Sequence, residues 1–255
     1  MLDLIYKRFS KAILSYDKNA TAQKEIAEEL YSLIKRYVKD CSSLLEIGCG
    51  TGFLTKDIIN IATNSFTIND LCSNFKDVIE NKIKDRLLEK GIVPNYVWGD
   101  CKTLISAEQK YSLITSSSAI QWVDSYLEYI KELRKILLPN GIIAISTFAP
   151  DNLLEIRELT GNTLNYSSKE EIYEQLSAIY TIKELYEKEM VIEFSSPLEV
   201  LKHLKLTGVN SIESTKWTKR DIDKFSNNYK KFITPSNRFP LTYKPIFIVA
   251  EREEE

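Results

Sequence analysis

The string Leu44–Gly52, LLEIGCGTG, limits what this chain can fold into more than any other feature. Ser43–Ile47 favours a buried strand, and Gly48, Gly50 and Gly52 follow at alternate positions before a helical pattern over Gly52–Ala62. Glycine enters left-handed backbone without steric cost, so three in five positions specify a tight turn that a ligand can approach closely. A strand that breaks on glycines and restarts as a helix opens a ligand-binding crossover in parallel α/β sheets, and the helix start offers N–H groups. The spacing here is Gly-x-Gly-x-Gly, whereas a dinucleotide turn reads Gly-x-Gly-x-x-Gly, and Phe53 stands at the last position of that pattern. Glu46, two residues before Gly48, adds a charge criterion. A pyrophosphate disfavours a neighbouring carboxylate; a cationic ligand is favoured by one.

The segments around this string alternate. Short β-favourable runs at Ser65–Asn69, Asn95–Trp98, Tyr111–Ser116 and Gly141–Phe148 are separated by helical patterns at Phe75–Lys90 and Tyr126–Leu138, with a turn at Pro139–Gly141. That order predicts βαβ units and a doubly wound, mostly parallel seven-stranded α/β sheet. Upstream, Ile26, Leu30, Leu33, Ile34 and Tyr37 fall at helical spacing, as do Phe9, Ile13 and Tyr16. Downstream, Ser168–Tyr180, Ser196–Leu206 and Thr218–Ile233 read as helices, and Thr181–Phe194 and Phe239–Ala250 as strands. The expected organisation is one domain. It has N-terminal helices over 1–40, a ligand-binding core over 41–150, a helical cap over 151–240, and a final strand with an acidic tail over 241–255.

Acids and small residues at the strand ends extend the site. Asp70 lies 24 positions after Glu46 at the end of the second strand, where an acid bonds both hydroxyls of an adenosine ribose, and Leu71 follows it. A nicotinamide dinucleotide would use the same acid, so Asp70 by itself does not choose the ligand. Trp98–Cys101, WGDC, places Asp100 and Cys101 after the third strand, and Ser116, Ser117, Gln121 and Trp122 leave the fourth. All of these point to the cleft at the carboxyl ends of the strands.

Composition removes other classes. With His203 as the only histidine, His-based triads and most metal-ligand sets are unavailable. Cys41, Cys49, Cys72 and Cys101 form no C-x-x-C pair, so neither zinc nor a disulfide framework is expected, and a reducing, cytoplasmic setting is. No apolar run approaches the roughly 18–20 residues that span a bilayer. The start, MLDLIYKRFSKA, lacks the apolar stretch of a secretory signal. A net charge of −2 excludes a globally basic nucleic-acid binder.

The glycine turn with its acid, Asp70, the Asp100–Cys101 pair and the fourth-strand loop, in that order, resemble the class I S-adenosylmethionine-dependent methyltransferases. Further strings narrow the resemblance: Arg8–Gln23, SSSAIQW over Ser116–Trp122, STFAP over Ser146–Pro150, and SPLEVLKHLKLTGVN over Ser196–Asn210. Together they are similar to the malonyl-acyl-carrier-protein O-methyltransferase family over nearly the whole chain. The resemblance implies S-adenosylmethionine as cofactor without a metal, and a malonyl thioester on acyl carrier protein as substrate. Its carboxylate would become a methyl ester for pimelate and biotin synthesis. It also implies that Tyr16 and Gln23 close over the cofactor, that Asp100 and Cys101 meet the adenine, and that Glu46, Gly48, Cys49, Gly50, Gly52 and Asp70 hold the rest. Departures are the NDLC turn and the loose match over Thr160–Ser168.

The chemistry suits these residues. A malonyl carboxylate, with a pKa near or below the Asp value of ~3.9, is ionised at neutral pH and needs no general base. Catalysis then rests on alignment, with Lys56, Lys202 and His203 as candidates to orient the carboxylate. Between Ser196 and Ala250 there are ten Lys and Arg against four acids, net +6, which leaves −8 for the remainder. A basic region over 196–244 suits an acidic carrier protein; RNA fits less well because few aromatics interleave. Two other readings stand beside this one: methylation of a small free acid such as aconitate or of a quinone precursor, and a non-catalytic cofactor- or partner-binding subunit.

Overall fold

The computed structural model describes residues 2–161, 164–208 and 217–254, and the end of the LKHLKLTGVN string, Glu213 and Lys216 lie outside them. Two helices lead, α1 (Leu2–Asn19) and α2 (Thr21–Tyr37). The core follows as β1 (Cys41–Ile47), α3 (Thr55–Ile58), β2 (Ala62–Asp70), α4 (Lys76–Lys90), β3 (Asn95–Trp98), β4 (Tyr111–Ser117), α5 (Tyr126–Leu133) and β5 (Leu137–Phe148). The second part holds α6 (Leu154–Thr160), α7 (Lys169–Leu176), β6 (Thr181–Glu187), β7 (Met190–Phe194), α8 (Pro197–Leu206), α9 (Lys219–Tyr229), β8 (Phe239–Tyr243) and β9 (Pro245–Glu251).

Seven strands pair in the order β3-β2-β1-β4-β5-β9-β6, parallel throughout β1 to β5, with β9 antiparallel to both neighbours. This is the expected doubly wound, mostly parallel sheet. Successive strand residues serve opposite faces. Leu44, Leu113, Ile142 and Phe247 pack in one core with α2, α3 and α4, while Leu45, Ile114, Ile143 and Ile248 pack in the other with α5 and α7. Both faces are covered, which is why the strands read as near-continuous apolar runs. Strand order reverses between β1 and β4, and the crevice at their carboxyl ends is where such sheets bind ligands.

Several elements differ from expectation. The helix over Gly52–Ala62 is only the single turn α3. Ile58, Ile59, Ile61 and Ala62 are all buried with only Asn60 exposed among them, and the stretch closes with tight bonds such as Asn60 N–H to the Asp57 carbonyl. Ala62 already starts β2. The turn expected at Pro139–Gly141 lies inside β5 as an irregularity, since Tyr111 pairs with Leu137 but Leu113 with Ile142. Thr181–Phe194 and Phe239–Ala250 are each two strands. Both break at the same level, where Lys188 N–H donates to the Pro245 carbonyl, and β7 and β8 leave as a separate two-stranded ribbon. Lys244 sits at that break, bonded to Asp151 and 3.6 Å from Glu189. The cap is therefore helices plus this ribbon. Two helix starts follow their sequence signals closely: Ser168 and Glu171 form a capping box on α7, and Ser196 caps α8 ahead of Pro197. Among the described residues no helix is long and apolar enough to cross a membrane.

Candidate functional site

A cleft of about 1190 Å³, open at its mouth, lies over the carboxyl ends of β1, β2, β3 and β4. Its floor is the glycine turn. Gly48, Gly50 and Gly52 all hold positive φ, at +70°, +52° and +86°. A Cβ on Gly48 would stand 2.2 Å from the Ala119 Cβ, so glycine here lets the loop after β4 close on the turn. A Cβ on Gly50 meets nothing within 4 Å, and Gly50 lines the cleft. Gly52 shapes the turn without lining the cleft.

The N–H groups of the three turn glycines and of Cys49 are already used. Gly48 and Cys49 N–H bond the Asn69 carbonyl at 2.9 and 3.0 Å, Gly52 N–H bonds the Cys49 carbonyl, and Gly50 N–H bonds Asp70 Oδ2 at 2.8 Å. With α3 a single turn, the N-terminal helix field expected from the sequence is slight. With its glycine N–H groups engaged, the turn is poorly suited to cradle a phosphate.

The cleft offers acceptors instead. Glu46 is 1% exposed and its Oε2 has no hydrogen-bond partner. Burial pushes its pKa up to about 8, offset only in part by the adjacent Thr55. Asp70 is also buried, and burial lifts it to about 6 even though Cys72 and Gly50 N–H each donate to it at 2.8 Å. Gln23 Oε1, Thr51 Oγ1 and Ser118 Oγ are likewise buried at the cleft without partners. Buried acceptors left unbonded cost free energy, and a ligand carrying donors and positive charge recovers it. Apolar walls complete the site: Phe9 and Trp122 meet edge to face at 5.7 Å, and Tyr16 packs against Phe53 at 5.8 Å. Burial raises the Tyr16 phenol, so it stays neutral.

The structure brings together Tyr16, Gln23, Glu46, Gly48, Cys49, Gly50, Asp70, Leu71, Asp100, Cys101, Ser117 and Trp122. Asp100 Oδ1 already accepts from Lys102 N–H at 2.9 Å. Cys49 and Cys101 are buried thiols with raised pKa, Cys101 to about 11, and serve as lining rather than nucleophiles. Ser116 is fully buried behind the cleft, and Gln121 donates to the Ser118 carbonyl while facing a neighbouring hollow.

The three candidate cations stand outside the cleft lining. Lys56 points to Asp57 at 3.8 Å, Lys202 is exposed on α8, and His203 is buried beneath α8, 2.9 Å from the Tyr243 hydroxyl. Burial depresses His203 to about 4, so it is neutral. Sequence reasoning missed Ser118, Asn69, Phe53 and Phe9 as lining residues. Only Phe9 left a signal, its helical register with Tyr16. Asn69 ties the cleft floor to β3, donating to the Val97 carbonyl at 2.7 Å. Among the described residues no group of three or more His, Cys, Asp and Glu is placed to hold a metal.

Known proteins share this fold. A methyltransferase-domain family matches residues 45–145. The Bacillus subtilis YcgJ protein superposes with a TM-score of 0.61 at 14% identity, covering 89% of this chain and 99% of its own. Magnesium protoporphyrin IX methyltransferase from Synechocystis, solved with bound SAH, superposes at 0.54 with 15% identity, covering 91% and 84%. Closer in sequence is a malonyl-[acyl-carrier protein] O-methyltransferase of Bacteroides thetaiotaomicron, 36% identical over 98% of both chains. One from Calditerrivibrio nitroreducens is 35% identical over 97% of this chain and 96% of its own. Likeness of that extent, end to end, makes this chain a member of the malonyl-[acyl-carrier protein] O-methyltransferase family.

Proposed function

We propose that this chain transfers a methyl group from S-adenosylmethionine to the free carboxylate of a malonyl thioester carried on acyl carrier protein. The observation that carries the cofactor half is Glu46: a buried carboxylate whose Oε2 has no partner, beside a turn whose three glycine N–H groups are already engaged. S-adenosylmethionine supplies an electrophilic methyl on a cationic sulfur. Asp70 would accept from the ribose hydroxyls, Glu46 and Gln23 from the ammonium, and Asp100 with the Cys101 N–H would meet the adenine. Gly50 leaves room for the methionine portion, and Phe9 and Trp122 exclude water above it. These residues suit the group through their acceptors, and no residue needs to move a proton. The substrate carboxylate is ionised without help, which agrees with the absence of any histidine from the cleft lining. Alignment of that kind supplies roughly 7–11 kcal/mol at best.

The finer readings rest on the same ground. The substrate is that of the named relatives, and the product feeds pimelate and biotin synthesis. No metal is required by this chemistry. We assign residues 1–40 to a lid, 41–150 to the cofactor core, 151–240 to the cap and 241–255 to the last strand and tail. The carrier would dock on the basic 196–244 region, where Lys202, Lys205, Lys219, Arg220 and Lys224 are exposed and hold no ion pair among the described residues. Four buried free cysteines suit a cytoplasmic setting. The direct test is mass spectrometry of malonyl carrier protein incubated with enzyme and S-adenosylmethionine. A gain of one methyl on the carrier is expected. Methylation of a free acid with an unmodified carrier overturns the substrate reading.

A further inference from the structure

Ser118 carries two costs that the protein does not offset within itself. It follows β4 directly and holds φ at +52°, a left-handed backbone that glycine enters freely and a residue with a Cβ does not. Neighbours fix that conformation from both sides. Ser118 N–H donates to the Ser146 carbonyl at 3.2 Å and to Ser146 Oγ at 3.0 Å, and the Ser118 carbonyl accepts from Gln121 Nε2 at 2.7 Å. Ser118 lines the cleft, and its Oγ is buried without a hydrogen-bond partner. Glycine at this place would relieve the backbone and remove the orphan hydroxyl together. What serine adds is therefore a hydroxyl held for a group outside the chain, on a backbone whose strain is kept in place by its surroundings.

Strand order indicates which group that is. Asp100 follows β3, Asp70 ends β2 and Glu46 lies in β1, so the three acids stand in a row across neighbouring strands of the order β3-β2-β1-β4. On the S-adenosylmethionine reading, that row takes adenine, ribose and ammonium in turn. The next strand is β4, and the loop leaving it touches the glycine turn, where a Cβ on Gly48 would stand 2.2 Å from the Ala119 Cβ. Ser118 thus borders the methionine portion on the side that the row of acids leaves open to a second reactant. A malonyl carboxylate accepts hydrogen bonds and has none to give, whereas a hydroxyl can donate. Among the described side chains, the one Lys or Arg lining the cleft is Lys102, two residues past Asp100 at the adenine end. We propose that the Ser118 hydroxyl donates a hydrogen bond to the malonyl carboxylate and aims it at the methyl group. This rests on the proposed function. A neutral donor aligns the carboxylate without a full positive charge to hold down its nucleophilicity. Ser118 moves no proton: the bond formed joins carboxylate oxygen to methyl carbon, the bond broken joins that carbon to sulfur, and the electron pair goes to sulfur.

The test compares malonyl carrier protein with acetyl carrier protein, which lacks the carboxylate. Each is titrated calorimetrically into enzyme saturated with S-adenosylhomocysteine, where no transfer can occur, and steady-state methylation of malonyl carrier is followed beside it. Ser118→Gly suits the left-handed backbone and removes the hydroxyl; Ser118→Ala removes it and keeps the Cβ; Ser118→Asn supplies an N–H donor on a residue that tolerates this backbone. We expect Ser118→Gly and Ser118→Ala to weaken malonyl carrier about tenfold and to lower kcat/KM by a similar factor, with acetyl carrier and S-adenosylhomocysteine affinities unchanged. Ser118→Asn should recover part of the loss. A serine with only a structural role predicts an unchanged rate for Ser118→Gly, and that result overturns the proposal. Equal weakening of acetyl carrier overturns it too, as does a matching loss of S-adenosylhomocysteine affinity, which would assign the hydroxyl to the cofactor. If Ser118→Ala does not fold, Ser118→Gly decides. An unaltered protein that leaves malonyl carrier unmethylated is a different result and defeats the function reading itself.

Discussion

Glu46 is the residue whose state changes most when the cleft fills. Burial lifts its pKa to about 8 in the free protein, so at pH 6 to 7 it carries a proton that a cationic ligand must displace. Displacement costs less as pH rises and nothing above 8. S-adenosylhomocysteine affinity should therefore strengthen between pH 6 and 8 and then level off. Glu46→Gln should remove that slope and weaken binding at pH 8 about tenfold, a loss of the order expected for a charged hydrogen bond. Calorimetry in buffers of different ionisation enthalpy counts the released proton, and a flat profile in the unaltered protein contradicts the assignment. Gly50→Val places a branched side chain at a left-handed position that lines the cleft. It should abolish cofactor binding while leaving a folded protein, and an unchanged dissociation constant would refute it. These residues were readable from the chain because their requirements are local: a positive φ, or a carboxylate at a strand end. Ser118 and Phe53 were not, since their place in the cleft depends on how separate loops meet. Lys56, Lys202 and His203 fall outside the cleft lining, and the type of a side chain does not say where it points.

At the level of elements, α1 matters most to the cleft. It sends Ile5, Phe9 and Tyr16 into the site, and it is tied down by Lys82 to Asp17 at 2.8 Å and Ser15 to the Leu206 carbonyl at 3.2 Å. Most of these ties are partly exposed and worth little singly. Tyr16→Ala should lower turnover roughly tenfold or more while moving the melting midpoint by only a few degrees, because it removes cleft wall and leaves both sheet cores untouched. A normal rate with a depressed midpoint would place Tyr16 in the core instead. Apolar runs located β1 to β5, since both sheet faces are covered, and helical spacing located α4, α5 and α8. It failed where the chain changes sheets. Side chains alternate in the same way on both sides of the breaks at Lys188 and Lys244, so each pair of strands reads as one. The shortened α3 was hidden by glycine before it and isoleucines after it, a combination that fits a helix or a buried link equally well.

For the molecule as a whole, the relevant property is where charge lies. Lys219, Arg220 and Lys224 project from α9 into solvent, away from the cleft lining. Reversing all three to Glu should lower kcat/KM for a carrier-bound malonyl group roughly tenfold at low salt, since steering by surface charge works through the encounter rate. Cofactor affinity should not change. If the rate also stays unchanged, a small free acid becomes the better substrate. The asymmetry of +6 against −8 was plain in the chain, but pairings such as Lys231 with Glu158, at 2.6 Å, required the fold. One consequence follows from the interior position of the sole histidine. Imidazole is the side chain that ordinarily titrates between pH 5 and 8, and this protein presents none to solvent. On the proposed function, acidity and ionic strength would act on different steps: protons on nucleoside capture inside, dissolved salt on the outer encounter.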